Sequence, residues 1–337
     1  MPRIAAALLA AALMLGSNAG AEPLKIRVAW ITVPTSLAPI LFAKPQLARH
    51  LGSSYTVEPQ HFAGSSQMTT ALASGDLDIA ELSYSSFAYA VANAHMSDLR
   101  VIADEIEDGV SGYYTTQYMV LNDGPVKTID DLKGKVLATN VIGTGTDIGM
   151  RAMLRRHGLE DKRDYTMIEA NFANMNALLF EHKADLITSI KFFETDELNE
   201  KAHSLFYLRD VMGVSQILAL SARAPFIAAN RAALVDYMDD YLRSLRWYLD
   251  PANHAEAVAI VSSFTKVPAA HFEPWLLTKG DQYRDPSGRP DLEAMQHDID
   301  VQQQMGFLDT HVEITKYADL SLIDAATKLL DAEASGK

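Results

Sequence analysis

The chain has 337 residues, 48% of them hydrophobic, with no cysteine and a formal net charge of −14. That length points to two domains with cores large enough to stand without covalent staples, and the missing thiols exclude a disulfide framework or a thiolate zinc site. The acidic balance, with no Lys/Arg cluster beyond MRAMLRRHG (150–158), argues against a nucleic-acid partner.

The first residues, MPRIAAALLAAALMLGSNAGAEP, place Arg3 before an apolar run from Ile4 to Leu15 and end in Ala19-Gly20-Ala21. This is the charged, apolar and small-residue pattern of an export signal. The run is shorter than the roughly 20 residues of a spanning helix. Residues 1–21 are therefore expected to be a signal peptide cleaved after Ala21, which would release an exported protein without membrane insertion. The anchoring Cys of a lipoprotein is missing.

KIRVAW (25–30) reads as a buried strand, and TSLAPILFAKPQLARHLG as a helix interrupted by Pro39 and Pro45 and closed at Gly52. YTVEPQHF is a second strand. SSQMTTALASG is a helix with Ser65 or Ser66 as N-cap and Gly75 as its stop. DIAELS, SSFAYAVANA and LRVIADE continue as strand, helix and strand. The alternation predicts an open, mainly parallel sheet with helices on both faces. The pattern then repeats with YMVLN (118–122), the capped TIDDLKG, KVLATN, the helix TDIGMRAMLRRHGL, YTMIEA, NMNALLFEHK and ADLITSI. From about residue 215 the apolar spacing becomes helical, so the last third is expected to be helical and to cover the first lobe.

NVIGTGTDIG (140–149) raises the question of a nucleotide loop. It lacks the Lys of a phosphate-binding P-loop, and Gly143, Gly145 and Gly149 miss the dinucleotide spacing by one residue. What remains is a helix start with small residues and hydroxyls, which offers free N–H groups to an anion. Two other segments, around Thr35-Ser36 and around Tyr84-Ser85-Ser86, also sit between a strand's carboxyl end and a helix. In open α/β sheets that edge is where ligands bind. Thr144, Gly145 and Thr146 are thus read with them as one anion site. Trp30, Tyr114 and Phe192 stand where aromatics can line a cleft, and Lys191 could supply a compensating charge. Catalytic signatures are missing: no G-x-S-x-G and no H-E-x-x-H occurs. His254 and Glu256 fall on different helix faces, and MQHDID (295–300) reads as a solvated one.

FAGSSQMTTALASGDLDIAELSYSSFAYAVANA followed by TIDDLKGKVLATNVIGTGTDIGMRAMLRRHGL resembles the periplasmic solute-binding proteins of ABC importers for sulfonates, taurine, nitrate and thiamine precursors (NMT1/THI5-like). The resemblance covers residues 24 to 265. It implies an α/β, two-lobed type II periplasmic-binding-protein fold, each lobe a mixed, mainly parallel sheet with flanking helices. Lobe I would span 22–110 plus 213–337 and lobe II 111–212, with hinges near 106–117 and 208–217. It further implies a monomer that hands a small organic anion to permease transmembrane subunits, with no cofactor and no metal. The family's ligand contacts fall on Trp30, the 34–36 loop, Ser85, Ser86, Thr144 to Thr146, Lys191 and Phe192. This sequence departs from the sulfonate pattern with AWIT after the first strand and KFFE after the later Asp strand. The extra aromatics and Lys191 suit a larger, aromatic carboxylate or sulfonate. Two alternatives stand beside this reading. One is an enzyme related to pyrimidine or menaquinone-precursor synthesis, and the other is a periplasmic sensor domain.

Overall fold

The computed structural model describes residues 22–336; the expected signal peptide lies outside them. Two five-stranded sheets form the frame. The first is ordered β2-β1-β3-β10-β4 and comprises β1 (Leu24–Trp30), β2 (Tyr55–His61), β3 (Ile79–Leu82), β4 (Leu99–Asp108) and β10 (Ser215–Arg223). The second is ordered β7-β6-β8-β5-β9, from β5 (Gln117–Leu121), β6 (Val136–Thr139), β7 (Thr166–Glu169), β8 (Leu186–Ser189) and β9 (Ala202–Tyr207). The early helices are α1 (Ser65–Ser74), α2 (Tyr84–Ala92), α3 (Gly145–Arg156), α4 (Phe172–Phe180), α5 (Asp196–Lys201) and α6 (Arg209–Met212). The remainder are α7 (Ala224–Ala229), α8 (Arg231–Leu249), α9 (His254–Thr265), α10 (Ala269–Phe272), α11 (Leu292–Gln304) and α12 (Ser321–Ala334).

Each sheet is mixed. β1 pairs in parallel with β2 and β3, while β10 runs antiparallel to both β3 and β4. In the second sheet β6 pairs in parallel with β7 and β8, and β5 runs antiparallel to β8 and β9. The reversed strand of each sheet is the one that follows a crossing from the other sheet. The crossings are short, at residues 109–116 and 208–214, and Leu208 N donates to Thr116 O at 2.9 Å where they touch.

Three expectations are corrected here. The segment after β1 is a string of turns, not a helix. Pro34, Pro39 and Pro45 each remove an N–H and restrict the preceding residue. Only single turns close, such as Leu41 N to Leu37 O at 2.7 Å, yet Leu37, Ile40 and Leu41 are buried and anchor the segment. SQILALSAR opens the C-terminal third as strand β10. It is buried on both faces, so it carries no alternation to separate it from a helix. Asp298 on α11 does not face solvent. It is fully buried and accepts from Ser215 Oγ at 2.8 Å, because α11 packs over β10.

α1 begins after Gly64 rather than at a serine cap, and α2 is capped by Ser83, whose Oγ accepts from Ser86 N at 3.2 Å. α8 and α12 pack on each other over the first sheet, joining Leu234, Met238, Leu242, Leu322 and Ile323 in its outer core. A separate apolar cluster joins the two sheets through Leu82, Tyr84 and Ile106 from the first and Tyr118, Ile148 and Leu208 from the second side.

Candidate functional site

The carboxyl ends of the parallel strands and the amino ends of the reversed ones face a common crevice. An inner cavity of about 50 Å³ lies there. Its rim is built from four helix starts. Ser65 opens α1, Ser83 caps α2, Thr144 and Gly145 begin α3, and Phe172 begins α4. The first N–H groups of a helix have no partner within it, and its dipole places about half a positive charge there. Thr32 and Thr35 come from the loop after β1, Thr116 from the amino end of β5, and Asn140 from the end of β6. Ile106, Ile190, Ile217 and Leu218 form the apolar floor. Among the described residues, no Lys, Arg, Asp or Glu side chain lines this cavity.

The polar lining is preorganised by its own bonds. Thr144 Oγ1 and Thr146 Oγ1 both donate to Asn140 Oδ1 at 3.0 Å. Gly143 N donates to Asp147 Oδ2 at 2.9 Å, so the acid of the first turn tightens the loop. Gln282 reaches the cavity from the C-terminal segment and donates through Nε2 to Asp108 Oδ2 at 2.8 Å. The same oxygen accepts from Thr116 N and Thr116 Oγ1, and Thr115 Oγ1 bonds the other.

Behind the loop after β1 sits a buried charge cluster. Ser36 Oγ donates to Glu81 Oε2 at 2.6 Å and accepts from Ile31 N at 3.0 Å. Leu37 N donates to Glu105 Oε1 at 3.1 Å. Arg284, 3% exposed, donates through Nη2 to the carbonyls of Pro34 and Thr35 at 3.0 and 2.7 Å, and its Nη1 lies 3.6 Å from Asp281 Oδ2. Burial pushes the Glu105 carboxyl up to about 7, against the pull of Arg284. Glu81 is raised well above the carboxylate range by burial and by the charge of Glu105. Burial, with Asp291 and Asp285 nearby, also brings Glu107 to about 7.

These raised carboxyls bind protons in the folded chain at pH values where the unfolded chain has released them. Folding stability is thus expected to fall as pH rises from about 5 to 8. Glu105 alone accounts for a change on the order of 3 kcal/mol. Urea denaturation at pH 5.5 and 8.0 checks this, and Glu105→Gln should flatten the slope. A stability that rises over that interval would refute it.

The structure sorts the candidate residues of the sequence into three groups. Thr35, Thr144, Gly145 and Thr146 line the inner cavity. Trp30 and Phe192 line a larger outer recess of about 320 Å³, which shares Ile31, Thr32 and Phe172 with it. The others hold the site together instead of facing it. Ser85 Oγ and Ser86 Oγ donate to Gly143 O at 2.9 and 3.3 Å, and Tyr84 OH donates to Gly145 O at 3.0 Å. They turn toward the Gly-Thr loop because α2 begins at Tyr84 with Ser83 as its cap, which puts the cap itself at the cavity. Ser36 is committed to Glu81. Tyr114 OH donates to Ser189 O at 3.3 Å. Lys191 Nζ lies 2.7 Å from Glu194 Oε2, so its charge is already matched and does not reach the cavity.

Gly145 lets the two sides meet. A Cβ there would lie 2.5 Å from Ile217 Cδ1 and 3.1 Å from Tyr84 Cε1. Ser83, Thr116, Asn140, Phe172 and Gln282 line the cavity without having been singled out from the sequence. Asn140 ends the strand KVLATN and Phe172 opens the helix after YTMIEA, so the strand-end rule could have found both. Gln282 belongs to an irregular return of the chain and carries no sequence signal.

Among the described residues, one His/acid group is close enough to hold a cation: His50, Asp239 and Asp240. Asp240 there accepts from the N–H groups of Arg49 and His50 at 2.9 Å and from Tyr55 OH at 2.8 Å. It serves to fix a turn.

The profile of the NMT1-like family matches residues 19–262. The chain belongs to the NMT1-like family. Three solved structures show its fold. The alkanesulfonate-binding protein SsuA from Xanthomonas axonopodis pv. citri, bound to MOPS, superposes with a TM-score of 0.67 at 16% identity, over 89% of this chain and 99% of that one. The periplasmic aliphatic sulphonate-binding protein SsuA from Escherichia coli gives 0.63 at 17%, over 88% and 92%. The periplasmic nitrate-binding protein NrtA from Synechocystis PCC 6803 gives 0.69 at 18%, over 93% and 91%. A comparison with curated proteins finds no sequence match. The fold is that of the periplasmic binding proteins, with two mixed sheets, flanking helices and a largely helical C-terminal region. No helix among the described residues is long and apolar enough to cross a membrane.

Proposed function

We propose that this protein is the solute-binding component of an ABC importer and captures a small organic anion in the crevice between the two sheets, its sulfonate or carboxylate head in the inner cavity. The observation that carries the reading is the convergence of four helix starts and several hydroxyls on one cavity between two sheets. Their N–H groups supply positive potential without a basic side chain. Burial disfavours the charged forms of Glu81 and Glu105, which lessens their repulsion of the guest. In this reading the signal pattern of residues 1–21 directs the chain to the periplasm. Lobe I comprises 22–110 and 213–337, lobe II comprises 111–212, and the crossings at 109–116 and 208–214 are the hinges. The monomer presents its closed form to the permease subunits. The names of the relatives support anion capture and the periplasmic setting.

The test is a thermal-shift series with nitrate, methanesulfonate, taurine, benzenesulfonate and benzoate. A true ligand at 100 times its Kd adds about 2.7 kcal/mol and should raise Tm by about 4 °C. In this reading the Thr146 hydroxyl turns from Asn140 Oδ1 to the guest, so Thr146→Val should weaken that ligand about 10-fold, the lower range of one hydrogen bond to a charged group. The reading fails if no anion shifts Tm, or if the variant binds unchanged.

A further inference from the structure

The inner cavity is too small for a whole organic anion. Its volume of about 50 Å³ accommodates a few water-sized groups, since one water needs roughly 10–15 Å³ on that measure. A three-oxygen head fits; a ring does not, because apolar cavities that take benzene measure about 150 Å³. The outer recess of about 320 Å³ continues from it past Ile31, Thr32 and Phe172.

The walls of that recess are aromatic on both sides. Trp30, Phe62 and Phe264 come from the first sheet and its C-terminal cover, and Phe172, Phe192 and Phe193 from the second sheet's loops. Trp30 lies 4.6 Å from its cross-strand neighbour His61 and meets Phe264 edge-on at 5.9 Å. On the facing side Phe193 meets Phe192 edge-on at 4.7 Å and lies nearly parallel to Phe172 at 6.3 Å. Phe264 is 42% exposed. Aromatic surface left open in a concave site is the surface a flat guest covers by offset stacking and edge contacts. Among the described residues, no Lys, Arg, Asp or Glu lines the recess, and its one imidazole, His61, packs on Trp30, so a second charge on the guest would lose water and gain at most that single partner.

Building on the proposed function, we infer that the ligand is an aryl monoanion: a flat aromatic body in the outer recess, carrying one sulfonate or carboxylate head that enters the inner cavity. The body lies between both aromatic walls and bridges the two sheets. The head alone would leave those walls wet.

Calorimetric titration with methanesulfonate, benzenesulfonate and naphthalene-2-sulfonate tests this, on the wild-type protein and on Phe264→Ala and Phe193→Ala. Aryl sulfonates are expected to bind at least about 30-fold more tightly than methanesulfonate and to change the fluorescence of Trp30. Phe264→Ala, at a partly exposed position where folding is little affected, should weaken the aryl ligands about 10-fold and leave methanesulfonate within about 2-fold. Methanesulfonate binding as tightly as the aryl ligands, or losing as much in Phe264→Ala, would overturn the inference and leave anion capture standing. Benzoate is titrated alongside: if it alone binds, the head is a carboxylate and the inference stands, and if none of the four binds, the reading of the inner cavity fails and the inference falls with it.

Discussion

Arg284→Met is expected to destabilise the protein by about 3 kcal/mol at pH 8, and by less at pH 5.5. The guanidinium is buried with Glu81, Glu105 and Asp281, and removing one partner from such a group leaves uncompensated charge, typically at a cost of 3–5 kcal/mol. Methionine keeps most of the volume, so packing contributes little. The pH dependence follows from the carboxyls. Without Arg284, Glu105 loses the influence that holds it down to about 7, so it stays protonated to higher pH. At pH 5.5 it is neutral with or without the arginine, and less is lost. The variant should also bind ligand more weakly, because Nη2 fixes the carbonyls of Pro34 and Thr35, and Thr35 lines the cavity. Urea titrations at both pH values decide the matter. An equal loss at the two pH values would show that geometry, not charge, carries the effect.

Gly109→Ala is expected to cost about 3 kcal/mol or more, against about 1 kcal/mol for Gly112→Ala three residues later. Both glycines have positive φ, +77° and +83°, so an alanine is strained at either site. They differ in what a side chain would meet. At Gly109 a Cβ would lie 2.2 Å from Gly213 O and 3.1 Å from Arg209 Cβ; at Gly112 nothing lies within 4 Å. The obstacle at Gly109 is backbone of the second crossing, which cannot rotate away as a side chain would. Overpacking of this kind adds about 1–3 kcal/mol to the conformational strain. Thermal unfolding of the two variants side by side isolates the contact from the shared strain. Similar losses in both would mean that the crossings separate freely.

The repeated alternation of strands and helices was legible in the sequence because those elements are long enough for periodicity to show. The direction of β5 and β10 was not. A reversed central strand is as apolar as a parallel one, and its direction depends on the crossings, which are set by distant pairing. The turns at 31–51 defeated the periodic reading because Leu37, Ile40 and Leu41 have helical spacing while Pro34, Pro39 and Pro45 prevent the helix. At the site, spacing located the strand ends correctly and left side-chain direction open. A one-residue difference in where α2 starts puts Ser83 at the cavity and turns Ser85 and Ser86 toward the Gly-Thr loop. Lys191 reads as a free cation by itself, but Glu194, three residues on, pairs with it once the 191–193 turn forms.

The bonds from Tyr84, Ser85 and Ser86 to the carbonyls of Gly143 and Gly145 tie the start of α2 to the loop before α3 across the two sheets. Under the proposed function, parting the lobes costs these bonds, so the balance between shut and open forms depends on this clasp as well as on the ligand's preference for one of them. Loosening the clasp would shift that balance while the chemistry of recognition stayed the same.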